Sequence, residues 1–309
     1  MKNKSFRKGI ILAGGNGTRF YPATRGISKQ LLPIYDKPMI YYPLSNLMLA
    51  GIRNILIIVW EHEVPLFRRL LGDGSQWGIQ LQFAIQKQPR GIADAFIIGE
   101  QFIGNDPVCL MLGDNVLYGD KLSEVLQIAN HQTQGATIFG YYVNDSERYG
   151  VIQFDENEKP IEIVEKPKIA SSPYAAIGLY FYDNDVIEIA KHIQPSPRGE
   201  LEITDVTNIY LKQNKLSAIK LGRGIAWLDT GTPTSWLEAS NFIHILEHRQ
   251  GLKIGAPEEV AWRMGYIDEN QLITLAEPLL KSGYGQYLKN LVKNKIIENS
   301  NLMMENLLF

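Results

Sequence analysis

The stretch Leu12-Ala13-Gly14-Gly15-Asn16-Gly17-Thr18-Arg19 constrains this chain more than any other. The run before it, Gly9-Ile10-Ile11-Leu12, is apolar, too short for a helix and rich in β-branched residues, so it predicts a buried strand. Gly14, Gly15 and Gly17 then open a loop with no side chains to hold an approaching group off the backbone. Such a loop can turn its N–H groups inward around an anion, most often phosphate. Arg19 adds a planar, permanently charged fork suited to phosphate oxygens, and Lys29 in Ser28-Lys29-Gln30-Leu31-Leu32-Pro33 offers a second cation. The bland alternative is a tight turn with a solvated arginine; the strand before the loop and the two cations after it favour a phosphate site.

Two better-known loops are excluded. A dinucleotide fingerprint needs glycine at position 20, where Phe20 stands, and no Gly-Lys-Ser/Thr string completes a Walker A loop. At 309 residues the chain can hold one large α/β domain or two small ones. A formal net charge of −2 argues against a nucleic-acid partner. No eighteen consecutive residues are apolar, and Met1-Lys2-Asn3-Lys4-Ser5 leads into a strand with no signal-like stretch, so a cytoplasmic protein with no membrane partner is expected. The single cysteine, Cys109, lies in the apolar run Val108-Cys109-Leu110-Met111-Leu112, which predicts a buried, inert thiol.

Periodicity alternates between strand and helix. Pro38 to Ala50 reads as a helix with Ile40, Leu44, Leu47 and Met48 on one face; Ile55 to Val59 reads as a strand buried on both faces. A helix from Glu63 to Leu71, an edge strand through Leu81, Phe83 and Ile85, a helix from Ile92 to Phe102 and a buried strand from Val108 to Leu112 come next. This is the pattern of a Rossmann-like doubly wound α/β sheet flanked by helices, whose ligands sit beyond the carboxyl ends of the strands. Tyr149 to Phe154 and Ile161 to Val164 form a hairpin around Glu158-Lys159-Pro160, which makes the sheet mixed. A strand from Ala175 to Tyr182 broken at Gly178, a helix from Thr204 to Gln213, a strand from Leu216 to Leu221 and a helix from Pro233 to His248 complete the pattern, and the remainder is helical.

Asp114 and Asp229 each stand after an apolar strand, Leu110-Met111-Leu112 and Ala226-Trp227-Leu228. Alone, each aspartate reads as a cap of the loop or helix after it. Together with the glycine loop, two hard oxygen ligands and no cysteine cluster suit Mg²⁺, which keeps several waters and leans on substrate phosphates. Glu165-Lys166-Pro167 on spacing alone is a charged surface turn, and Arg198 a solvated loop residue.

Gly-Gly-x-Gly-Thr-Arg followed by a lysine before a proline resembles the signature of the sugar-1-phosphate nucleotidyltransferases, and Lys29-Gln30-Leu31-Leu32-Pro33-Ile34-Tyr35-Asp36-Lys37-Pro38-Met39 is similar to their thymidylyl branch. The match runs from Lys8 to about Asp268, then more weakly to Val292. The resemblance implies that Leu12, Gly14, Gly15, Gly17, Thr18, Arg19 and Asp114 bind the nucleotide, with Gln86 and Gly91 at the base. It implies catalytic roles for Arg19, Lys29 and Lys166, and a metal on Asp114 and Asp229. Tyr149, Gly150, Glu165, Lys166, Gly178 and Arg198 fall to the sugar phosphate. Three departures stand out: Pro233 replaces the usual histidine, Arg90 an acidic residue and Asp94 a glutamine.

The expected reaction joins dTTP and glucose 1-phosphate into dTDP-glucose and pyrophosphate, in deoxysugar supply such as rhamnose. Uridylyl transfer and a non-catalytic sensor of nucleotide sugars are the rivals. A catalytic domain over residues 1–248, carrying a sugar-side β insertion at about 145–200, and a helical C-terminal region over 249–309 are expected. The resemblance further implies a homo-oligomer, a tetramer, with a regulatory nucleotide site near Pro257-Glu258-Glu259 and Arg263. The tail after Val292 departs from the pattern, and its last residues, Ile297 to Phe309, are polar and then apolar with no obvious partner.

Overall fold

The computed structural model describes residues 7–15 and 17–293. The first part of the chain runs β1 (Lys8–Leu12), a hairpin of β2 (Pro33–Ile34) and β3 (Lys37–Pro38), α1 (Tyr41–Leu49), β4 (Asn54–Val59), α2 (Val64–Leu71), β5 (Gln80–Ile85), α3 (Asp94–Ile98), α4 (Glu100–Ile103) and β6 (Val108–Leu112). Next come β7 (Asn115–Gly119), α5 (Leu122–His131), β8 (Ala136–Tyr142), β9 (Gly150–Phe154), β10 (Pro160–Glu165) and β11 (Tyr174–Tyr182). They are followed by α6 (Val186–His192), α7 (Ile203–Lys212), β12 (Leu216–Lys220), β13 (Ile225–Asp229) and α8 (Pro233–Gln250). The C-terminal region contributes α9 (Pro257–Arg263), α10 (Glu269–Ala276) and α11 (residues 283–293).

A nine-stranded mixed sheet forms the middle layer in the order β10-β9-β11-β6-β1-β4-β5, with β8 on β11 and β12 on β8. β1 pairs in parallel with both β4 and β6, which explains why all three sequences are apolar beyond the opening Lys8 of β1 and Asn54 of β4. Successive residues point to opposite faces. Ile11, Ile55, Ile57, Cys109 and Met111 join α1, α5 and the C-terminal helices on one side. Ile10, Leu56, Ile58, Val108 and Leu110 meet Phe96 of α3, Val186 of α6 and Tyr210 of α7 on the other. Burial pushes the Cys109 thiol far up, so it stays a neutral packing residue.

β11 changes partner partway along. Leu179–Tyr182 pair antiparallel with β6, whereas Ala175 pairs with Val151 of β9. A crevice opens at this change of partner, the kind of switch point where α/β sheets hold ligands. Residues 150–182 thus supply three strands to the same sheet as the glycine loop. Gly178 does not break β11; it shifts its register on β8 between Ala176 and Tyr180. A Cβ there would lie 2.7 Å from the Leu112 side chain and 2.8 Å from Asn115 Oδ1, so only glycine fits.

Three further expectations are revised. α1 starts at Tyr41 rather than Pro38, because Lys37–Pro38 pair with Pro33–Ile34. The helix expected over Ile92–Phe102 divides at Gly99, whose missing Cβ would sit 2.9 Å from both Ala95 O and Ile10 Cδ1. Asp229 ends a strand, but β13 belongs to a separate two-stranded antiparallel pair with β7 and not to the main sheet. Pro233 opens α8 behind a Thr232–Ser235 capping box, which suits its missing N–H.

The C-terminal helices share the core of the sheet, with Val260, Ala261, Leu272 and Leu288 buried beside α1. A buried ion cluster ties the β2–β3 hairpin to α8: Lys37 Nζ lies 2.6 Å from Glu247 Oε1 and 2.7 Å from Asp36 Oδ1. Lys253 Nζ lies 2.8 Å from Glu247 Oε2, and Ile254 N donates to Glu247 Oε1. The tail from Ile297 to Phe309 lies outside the described residues. No helix among the described residues is long and apolar enough to cross a membrane.

Candidate active site

The glycine loop is held by the strands around it. Ala13 N donates to Ile58 O and Gly113 N to Leu12 O, fixing the carboxyl ends of β1, β4 and β6 to one another. Gly14 is pressed against the Gln86 carboxamide, where any Cβ would collide with its oxygen. Gly15 faces open space. Gly17 takes a left-handed conformation (φ +58°) that starts the turn Thr18–Phe20 and leaves Thr18 and Arg19 exposed.

Lys29 is buried, and its ammonium has three partners: Asp114 Oδ2 at 2.5 Å, Thr230 O at 3.5 Å and the Phe20 ring at 5.6 Å. Asp114 also accepts from Asn115 Nδ2 (3.1 Å). Burial works against the Asp114 carboxylate, but the Lys29 charge and the hydrogen bonds from Lys29 and Asn115 outweigh it and hold the group below the usual range.

Asp229 reaches the same cleft from the other direction, because β13 pairs antiparallel with β7 and sets Asp229 opposite Asn115. The Tyr149 hydroxyl donates to Asp229 Oδ2 at 3.4 Å. Burial first, and then the Asp114 charge, push Asp229 up to about 6. The Tyr149 phenol is itself pushed up to about 12 by burial and by Asp229.

The opposite wall comes from the β9–β10 hairpin and the arm before α7. Glu165 accepts from the Thr204 hydroxyl (2.5 Å) and from Arg198 Nη2 (3.4 Å), and Lys166 Nζ lies 3.8 Å from it. Gly150 leaves room for this pair, since a Cβ would be 3.2 Å from Thr204 Oγ1. Lys166 has φ +41°, unusual for a side-chain-bearing residue, and its N–H is tied to Tyr149 O (3.0 Å). Arg198 is bidentate on Glu202, at 2.9 Å to each oxygen.

One cleft of about 700 Å³ gathers Gly17, Thr18, Arg19, Lys29, Asp114, Tyr149, Gly150, Glu165, Lys166, Gly178, Arg198 and Asp229. Leu12, Gly14, Gly15, Gln86 and Gly91 do not line it. Gln86 buttresses the glycine loop, and Gly91 packs on Leu201. Sequence reading passed over Asn115, Arg148, Thr204 and Trp227, which do line the cleft. Asn115 is a buried hub: besides Asp114 it engages Trp227 Nε1 (2.6 Å) and Gly178 N (3.1 Å) through its carbonyl oxygen. Its place directly after Asp114 was the one available signal. Arg90 and Asp94, the two base-side departures, are bonded to each other through Arg90 Nε (3.1 Å) and Nη2.

Cations on both walls, two carboxylates between them and a glycine loop at a strand end define a nucleotide- and phosphate-handling α/β enzyme site. Comparison with known proteins agrees. Residues 8–245 match the nucleotidyl transferase family model, and the chain belongs to that family. A glucose-1-phosphate thymidylyltransferase of Xanthomonas campestris pv. campestris (strain B100) is 58% identical over 287 residues, covering 93% of this chain and 97% of the relative. A Bacillus anthracis crystal structure described as a glucose-1-phosphate thymidylyltransferase, in complex with a sucrose, superposes with a TM-score of 0.70 at 39% identity, over 76% of this chain and 94% of that one. A UDP-glucose pyrophosphorylase complexed with UDP-glucose gives 0.68 at 27% identity, over 78% of this chain and 99% of that one.

Proposed function

We propose that the protein transfers the thymidylyl group of dTTP to glucose 1-phosphate, releasing pyrophosphate and dTDP-glucose. One observation carries this reading: Arg19, Lys29, Lys166 and Arg198 line one cleft together with Asp114 and Asp229. The reaction brings two anions together, and four cations gathered in one cleft lower that cost. A sugar-phosphate oxygen attacks the α-phosphorus in line with the departing pyrophosphate. The nucleophile is already an anion, so no general base is needed, and catalysis reduces to positioning and charge neutralisation. In this scheme Arg19 and Lys29 hold the triphosphate and Lys166 the sugar phosphate, while Glu165, fixed by Thr204 and Arg198, accepts from a sugar hydroxyl.

The acids suit Mg²⁺. Among the described residues no three His, Cys, Asp or Glu side chains converge as a protein-only cage. Instead two close carboxylates strain against each other, Asp229 being pushed up by burial and by Asp114, which is a donor set that a hard divalent cation completed by waters and substrate phosphate would relieve. Bound there by Asp114 and Asp229, Mg²⁺ would supply charge neutralisation at the α-phosphate.

The thymidylyl relative at 58% identity, against 27% for the UDP-glucose enzyme, supports dTTP over UTP. A sensor that only binds would not need Arg19, Lys29, Asp114, Lys166 and Asp229 all in one cleft. The resemblance extends the reading to a cytoplasmic homotetramer with a regulatory nucleotide site, feeding deoxysugar synthesis. Pyrophosphate release by purified protein with dTTP, glucose 1-phosphate and Mg²⁺ tests the core of it. Sustained turnover is expected, and binding of dTTP without turnover would leave only the sensor.

A further inference from the structure

The turn after β5 is bonded to the arm that carries Arg198. Leu201 N donates to Arg90 O (2.6 Å) and Ala93 N to Leu201 O (3.2 Å), so two backbone hydrogen bonds join residues 90–93 to Leu201. Gly91 makes the approach possible: it has φ +105°, and a Cβ would fall within 2.6 Å of the Leu201 backbone. Leu201 lies one residue before Glu202, the carboxylate that grips Arg198 with both oxygens and also accepts from Ser196 Oγ (2.7 Å). Arg198 in turn reaches Glu165 (3.4 Å). The conformation of the turn therefore passes through Leu201 to the residues facing the sugar phosphate.

The turn is itself locked by one ion pair. Asp94 in the first turn of α3 is 5% exposed, and the half-exposed Arg90 fork provides its only ion pair among the described residues. Removing the guanidinium strands a buried carboxylate, which drives local rearrangement. That rearrangement falls on Arg90 O and Gly91, the atoms touching Leu201.

We propose that Arg90 and Asp94, although neither lines the cleft, are positioning residues that hold the Arg198 arm against the sugar-phosphate pocket. The inference rests on the nucleotidyl-transfer reading for the identity of the two substrates. It differs from simple base recognition, because the backbone bonds of the turn run to Leu201, in the arm that carries Arg198.

The test compares steady-state kinetics of wild type, R90A, R90K, D94N and R90A/D94N, with dTTP affinity measured separately by calorimetry and folding by thermal melts. R90A is the key variant, since a half-exposed arginine can be removed without emptying the core. R90A and D94N should each raise the KM for glucose 1-phosphate by roughly fivefold to thirtyfold, with dTTP affinity changed less than threefold. The double variant should be no worse than the worse single one, and R90K should recover part of the loss. Unchanged KM for glucose 1-phosphate in R90A, or a larger loss of dTTP affinity than of sugar-phosphate use, would overturn the proposal. If wild type turns over no nucleotide with glucose 1-phosphate, the functional reading itself fails, whatever the variants do.

Discussion

Asn115 and Asp229 are cross-strand partners in the β7–β13 pair, so the two acids of the cleft are spaced by a single register. Asp114 precedes Asn115 by one residue on one strand, and Asp229 faces Asn115 from the other. The Asn115 amide then binds Asp114, Trp227 and Gly178, so one buried side chain fixes an acid, the ring under Tyr149 and the switch point of β11.

Replacing Asn115 with Ala should therefore harm both stability and rate. The change leaves the buried Trp227 and Gly178 N–H groups without their acceptor, a loss of about 2–4 kcal/mol in urea unfolding. Turnover at saturating substrates should fall at least tenfold because Asp114 loses its orientation. A variant with native stability would show that water replaces the amide.

Asp114→Asn and Asp229→Asn should each lower turnover by roughly a hundredfold or more, as loss of an electrostatic catalytic group does. Near-wild-type turnover of either at saturating Mg²⁺ would contradict a shared metal.

Asp229 also predicts a pH effect without metal. Its folded value, about 6, lies above the ~4 of an unfolded aspartate, so its contribution is fully present below about 4 and is lost as pH rises through 6. In chelator, Asp229→Asn should thus be more stable than wild type by about 1–3 kcal/mol at pH 7.5 and equal to it near pH 4. Equal stability of the two proteins at pH 7.5 in urea melts would contradict the strain assigned to the acid pair.

Glu247→Ala should cost about 3–5 kcal/mol in chemical denaturation, because it strands the buried Lys37 ammonium that joins the β2–β3 hairpin to α8. A loss below 1 kcal/mol would mean that Asp36 alone satisfies Lys37.

Much of this was legible in the sequence where local pattern and tertiary burial agree. β1, β4 and β6 read as continuous apolar runs because both their faces are covered, and the glycine loop was evident from the residues after β1. β7 escaped notice: Asn115–Gly119 is short, and its partner β13 lies more than a hundred residues away. Asn115 could not be recognised without that pairing. Arg148 likewise reads as one more charge in Ser146-Glu147-Arg148 until the fold stacks it on the Tyr149 ring and turns it into the cleft. The close packing of Gly99 on Ile10 is also hidden, because Ile10 is a neighbour that no local window contains.

Competition between dTTP and UTP at equal concentration, with counting of the two sugar nucleotides formed from glucose 1-phosphate, tests the central claim most directly. The thymine methyl gains an apolar pocket about 1–3 kcal/mol, so dTDP-glucose should exceed UDP-glucose by roughly 10–200-fold, with UTP still a measurable substrate. An excess of UDP-glucose would contradict the thymidylyl assignment and move the protein to uridylyl transfer.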